Sequence, residues 1–157
     1  MGDDVRQTLA ILVVAALAIP VANCGGGSTA KRPRVEVDPS SLDVTMDLEY
    51  SFSIVNTGEA LLNLSAAPTI AATPCTGDAE GIEPFALAVT NVAQFPVAVD
   101  PRGMEGLGPD GMSAVGVTVT YTPQPVSCDR VATIRILSND PDRPTLEMTV
   151  RVAKALP

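Results

Sequence analysis

The stretch Ala114–Tyr121, with the sequence AVGVTVTY, is the clearest β-strand in the chain. Its apolar residues recur at every second position, and Gly116, Thr118 and Thr120 fill the positions between them. Because successive side chains of a strand point to opposite faces, this period of two predicts a strand with one buried face. Pro123, two residues further on, stops the strand, since proline cannot donate to a sheet ladder.

Shorter segments of the same pattern surround this strand. Apolar alternation predicts strands near residues 35–37, 42–44, 50–55, 62–64, 85–89, 95–99, 131–137 and 146–152. Fourteen prolines and twelve glycines are scattered through the chain, and no amphipathic helical run follows the amino-terminal segment. We therefore predict an all-β fold, an immunoglobulin-like antiparallel β-sandwich of about 7–9 strands. Residues 67–84 and 101–112 are predicted to be long loops.

Three segments carry turn chemistry: NTGE at 56–59 followed by LLNL at 61–64, VTVTYTP at 117–123, and SNDPDRP at 138–144. Gly58 is able to take a positive φ in its turn, whereas Asn139 and Asp140 can accept backbone N–H bonds in theirs. In this order the segments resemble the Hydin-type immunoglobulin-like domains. Such domains also occur in bacterial "choice-of-anchor D" proteins and are related to the major sperm protein fold. The resemblance spans residues 34–153 and implies an interaction or scaffolding module without catalytic residues.

The amino-terminal segment predicts a bacterial lipoprotein signal. Residues 9–19 are all apolar, too few for a bilayer core, which takes about 20, but typical of a signal peptide. The sequence VANC then ends at Cys24, although Asn23 replaces the usual small residue and acidic residues offset the positive start. We predict a signal peptide over residues 1–23, lipidation of Cys24, a flexible linker over residues 24–33, and a β-sandwich domain over residues 34–154. A plain secretory signal and an uncleaved anchor are the alternatives.

Charge and anchoring limit the predicted partners. Removal of the signal takes Asp3, Asp4 and Arg6 from the 18 acidic and 10 basic residues, which leaves 16 and 9 and a net charge of −7. This balance disfavours nucleic acid, whose binding is dominated by Lys and Arg, and docking on anionic head groups by charge. The predicted partners are membrane lipid, through acylated Cys24, and another envelope protein. Gly25 is not the aspartate of a retention signal, so we expect the outer rather than the inner membrane, facing the periplasm or the cell surface.

Two further cysteines, Cys75 and Cys128, lie in predicted loops. In an oxidising compartment such a pair predicts a structural disulfide. A metal or redox pair, or two free thiols in a reducing envelope, are the alternatives. The chain has no histidine and no CxxC motif that would complete a metal site, so no metal and no cofactor is predicted.

The remaining polar residues do not form a catalytic pattern. A Ser-His-Asp set is excluded because the chain has no histidine. We interpret Asp100, Glu105 and Asp110 as a loose, solvated acidic group in one loop. The predicted function is therefore a non-enzymatic, lipid-anchored cell-envelope protein that acts as an interaction or structural module. The alternative is a small-ligand or metal-binding lipoprotein that uses Cys75 and Cys128. The expected contact surfaces are the sheet edges, where strand addition is possible, and the loops 67–84 and 100–113.

Overall fold

Ten β-strands cross residues 30–75, 83–124 and 128–152, the parts of the chain that the computed structural model describes. They are β1 (Val35–Asp38), β2 (Asp43–Met46), β3 (Glu49–Asn56), β4 (Leu62–Leu64), β5 (Thr69–Ala72), β6 (Phe85–Val89), β7 (Val97–Val99), β8 (Ala114–Tyr121), β9 (Arg130–Leu137) and β10 (Thr145–Val152). No helix in these ranges is long and apolar enough to cross a membrane. The predicted signal peptide, Cys24 and most of the predicted linker lie outside the described residues.

The strands form two four-stranded sheets and one short pair. The first sheet has the order β1-β3-β8-β6, the second has the order β2-β10-β9-β5, and β4 pairs with β7. The first two strands, β1 and β2, follow closely in the chain but belong to different sheets. The fold is thus the predicted immunoglobulin-like β-sandwich. Within the described residues it has ten strands, where about 7–9 are predicted, and among its strand pairs β2 and β10 depart from the antiparallel expectation by pairing in parallel.

The core lies between the inward faces of the two sheets. In the first sheet Phe52 is paired with Val117, and in the second Ile134 is paired with Met148, and all four side chains are buried. The alternate residues of β3, β8, β9 and β10 face the core as their period of two predicts. Branched aliphatic side chains dominate this core, as the scarcity of aromatic residues in the sequence requires.

One strand lies inside a predicted loop. β5 has the sequence TIAA and lies between Pro68 and Pro74, within the predicted loop 67–84. Its four residues show only weak alternation, and they become a strand because they pair with β9, Ile70 opposite Ile134. Tertiary pairing, which a local pattern does not contain, therefore decides the conformation of this segment.

The chain enters the sandwich at one end. Val35 pairs with Asn56, so the entry segment 30–34 lies beside the β3–β4 turn 57–61. The β9–β10 turn 138–144 and the loop 100–113 also reach this end, which we call the proximal end. The β2–β3 turn 47–48 and the segments around Cys75 and Cys128 form the opposite, distal end. The described part of the predicted loop 67–84 around Cys75 therefore lies at the distal end, whereas the predicted loop 100–113 lies at the proximal end.

Candidate functional site

Asn56 binds the entry segment to the sandwich. Its side chain is buried; Oδ1 accepts the N–H groups of Arg34 at 3.2 Å and Gly58 at 3.0 Å. Its amide nitrogen donates to the carbonyl oxygens of Ala60 at 2.7 Å and Val99 at 3.1 Å. All four bonds go to the backbone, so Asn56 joins the chain entry, the β3–β4 turn and the end of β7.

Gly58 is required for a reason other than the predicted positive φ. The described glycines with positive φ are Gly103, Gly106 and Gly111. A Cβ atom at position 58 would instead overlap the backbone of residues 32–34. The turn is therefore held by the close approach of the entry segment, which the local sequence does not reveal.

Asp140 accepts three backbone hydrogen bonds in a buried position. Oδ2 accepts the N–H group of Val35 at 2.9 Å, and Oδ1 accepts those of Asp142 at 2.9 Å and Arg143 at 3.2 Å. Burial by itself raises the pKa of Asp140, but these three N–H groups and the positive charge of Arg143 hold that pKa below its usual range. The carboxylate thus stays ionised and ties the β9–β10 turn to β1.

Asn139 links the same turn to β4. Its Oδ1 accepts the N–H group of Asn63 at 2.8 Å, and its amide nitrogen donates to the carbonyl oxygen of Leu61 at 3.2 Å. The prediction that Asn139 and Asp140 accept backbone N–H bonds is correct. Their side-chain oxygen atoms link the β9–β10 turn to β1 and to β4.

The interpretation of Asp100 as part of a solvated acidic group is wrong. Asp100 is fully buried and accepts the N–H groups of Gly106 at 2.6 Å and Gly108 at 2.5 Å. Asp110 is exposed, but its carboxylate accepts the N–H group of Ala98 at 3.1 Å. These carboxylates therefore fold the 100–113 loop onto β7. The sequence signal is the pair of glycines six and eight residues after Asp100, whose backbone can approach a carboxylate closely.

Cys75 and Cys128 form a disulfide at the distal end, as predicted. Their Cα atoms are 6.3 Å apart, and the bond joins the segment after β5 to the segment before β9. Both sulfur atoms are used, so the metal-binding alternative lacks its two thiolates in this state. Within the described ranges, His, Cys, Asp and Glu side chains do not gather in a group of three that could hold a metal.

Among the described residues, three of the four edges of the two larger sheets carry features that disfavour the addition of another strand. The N–H group of Val35 faces outward from β1 and is taken by Asp140. β5 has only four residues between Pro68 and Pro74, which have no N–H to donate. β2 is equally short and carries Asp43, whose carboxylate pairs with Arg151 at 3.2 Å. Capping, proline, short length and charge are the usual means of protecting an edge.

The fourth edge, β6, carries none of these features in the part of the chain that the structure describes, and we call it the open edge. Thr122 donates to the carbonyl of Pro84, and Thr90 donates to the carbonyl of Gly116, so alternate residues of β6 bond to β8. The backbone groups of Phe85, Leu87 and Val89 consequently face away from β8. Within the described residues β6 pairs with β8 alone, and its sequence FALAV has no charge and no proline.

Comparisons with known proteins support the fold. No family model matches the chain, and no curated protein matches it. A protein of unknown function from Porphyromonas gingivalis W83 is similar in structure, with a TM-score of 0.51 and 16% identity over 83% of this chain. This chain spans 50% of that protein, so it corresponds to half of its length. Such a similarity shows the fold alone.

Two further solved structures are similar at lower scores. The ASH / PapD-like domain 7 of human CEP192 has a TM-score of 0.47 and 12% identity, covering 97% of this chain and 99% of that one. The secreted serine protease VesC from Vibrio cholerae has a TM-score of 0.43 and 15% identity, covering 73% of this chain and 22% of that one.

Proposed function

We propose that this protein is a lipid-anchored component of a bacterial cell envelope, held by acylated Cys24, which binds another envelope protein and catalyses no reaction. Its resemblance to Hydin-type immunoglobulin-like domains favours the same role. The observation that carries the proposal is the open edge of β6. The buried polar residues Asn56, Asp100 and Asp140 all bind backbone, which accounts for them structurally.

Strand addition is the binding mode that this edge supports. An extended segment of a partner would accept and donate main-chain bonds at Phe85, Leu87 and Val89. These three side chains point inward and are buried or half-buried, so apolar side chains of the added strand would pack beside them. The outward residues, Ala86 and Ala88, are small and uncharged and leave the approach clear.

Leu87→Pro tests the edge directly. Proline at this position removes an N–H that faces away from β8, so the hydrogen bonds between β6 and β8 are kept. An added strand would lose one hydrogen bond and would clash with the proline ring. Ile70→Pro is the matched control, because it makes the same change at an outward-facing N–H of β5 and also removes a half-buried aliphatic side chain. The chains are expressed with a tag in the native host, crosslinked in cells, extracted from membranes and identified by mass spectrometry, together with Cys24→Ala.

We expect one dominant partner for the wild type and for Ile70→Pro, lost in Leu87→Pro. The Cys24→Ala chain should leave the membrane fraction. Recovery of the same partner with Leu87→Pro would place the contact elsewhere on the domain. Absence of any enriched partner for the membrane-bound wild type would contradict the interaction module itself.

A further inference from the structure

We propose that the proximal end of the sandwich rests on the bilayer surface, with Met104 and Leu107 of the 100–113 loop inserted at the lipid interface. The inference rests on the proposed lipid anchor at Cys24. It adds an orientation: the proximal end faces the lipid, while the disulfide end points away and the β6 edge stands at the side.

The loop presents apolar side chains on a fixed backbone. Leu107 is 60% exposed and Met104 is 43% exposed, so both offer apolar surface to a contact. Leu107 lies between Gly106 and Gly108, whose N–H groups are held by the buried carboxylate of Asp100. The two side chains are thus displayed by an ordered loop, and little conformational entropy is lost when they enter an interface.

The loop lies next to the point where the tether enters. Asn56 bonds to Arg34 of the entry segment on one side and to Val99, just before the loop, on the other. The predicted linker of residues 24–33 spans at most about 35 Å when fully extended. A tether of this length holds the domain at a high effective concentration near the membrane, so even two apolar side chains suffice for contact.

A single tryptophan tests the orientation, because the chain has none of its own. Leu107→Trp places an indole at the loop tip. Leu48→Trp is the matched control, since Leu48 is 56% exposed and lies in the β2–β3 turn at the distal end. The full lipidated chains are reconstituted into vesicles of phosphatidylethanolamine and phosphatidylcholine, with and without brominated acyl chains, and vesicle association is measured by flotation.

We expect the Leu107→Trp emission to shift to shorter wavelength on vesicles and to be quenched by brominated lipid, while Leu48→Trp shows neither change. Equal quenching of the two variants, or a water-like emission from both, would overturn the orientation. Flotation separates this failure from failure of the anchor. If the wild type floats and Cys24→Ala does not, the anchor stands whatever the indole reports. If the purified wild type carries no acyl chains and does not float, both proposals fail.

Discussion

Asp140 and Asn56 bind successive backbone N–H groups at the start of β1. Asn56 lies at the end of β3 in the first sheet, whereas Asp140 lies in the β9–β10 turn of the second. The point where the chain enters is therefore fastened to both sheets at once. Under the proposed anchoring at Cys24, this arrangement would distribute any pull on the linker over both sheets.

Replacement of Asp140 by asparagine should lower the free energy of unfolding by about 1–3 kcal/mol at neutral pH, because an N–H group would be left facing an amide NH₂. The folded-state pKa of Asp140 is depressed, so its carboxylate stabilises the fold above the ordinary aspartate pKa, and this contribution is lost as the pH falls through the folded-state value. Asp140→Asn should therefore lose less stability than the wild type on acidification below pH about 4.

Urea denaturation between neutral and strongly acidic pH checks this expectation. Asp142→Asn is the control, because Asp142 is an exposed neighbour whose only described ion pair, with Arg32, is 4.0 Å long. We expect its acid dependence to match that of the wild type. If Asp140→Asn lost as much unfolding free energy at acidic pH as the wild type, other carboxylates would dominate the pH dependence of stability.

At the scale of elements, strands with strong alternation can be predicted from the sequence, and the rest depend on their neighbours. β8, β9 and β10 place every alternate apolar residue in the core, because period-two patterning and burial agree there. β5 has only a weak pattern, and its conformation depends on pairing with residues of β9 that lie sixty or more positions away. The burial of Asp100 escaped prediction for a similar reason, because its partners are backbone N–H groups rather than side chains. The backbone hydrogen bonds accepted by Asn139 and Asp140 could be predicted from the turn sequence. The open edge of β6 could not, because the order of the strands in a sheet is not contained in a local pattern.

The disulfide should contribute strongly to stability. It closes a sequence separation of 53 residues, for which chain-entropy considerations give about 4 kcal/mol of stabilisation. The double variant Cys75→Ser/Cys128→Ser should therefore unfold at a lower urea concentration than the wild type. Unfolding with and without a reductant supplies the control, because reductant should shift the wild type and leave the double variant unchanged. Equal midpoints for all samples would mean that the cross-link adds nothing beyond the packing of β5 and β9.

At the scale of the whole molecule, the chain alternates between the sheets. The first sheet contains β1, β3, β6 and β8, and the second contains β2, β5, β9 and β10. Between β6 and β8 the chain forms β7, which pairs with β4. Neither sheet can be assembled from one continuous segment. Because the strands of the two sheets alternate along the chain, forming one sheet also closes the chain segments that contain the other sheet. The two sheets share one core. A state with only one sheet formed would therefore lose most of the buried apolar area and still bear most of the entropy cost of loop closure.

We therefore expect both sheets to unfold in one transition. Tyr50 and Tyr121 lie in β3 and β8, so their fluorescence reports the first sheet, and no tryptophan masks it. Far-UV circular dichroism reports the strands of both sheets. In urea the two signals should give the same midpoint and the same slope, as two-state unfolding requires. Removal of the disulfide should move both midpoints together, since the cross-link belongs to the same cooperative unit. A tyrosine transition that separates from the dichroism transition, in either protein, would mean that one sheet persists without the other and that the shared core does not couple them.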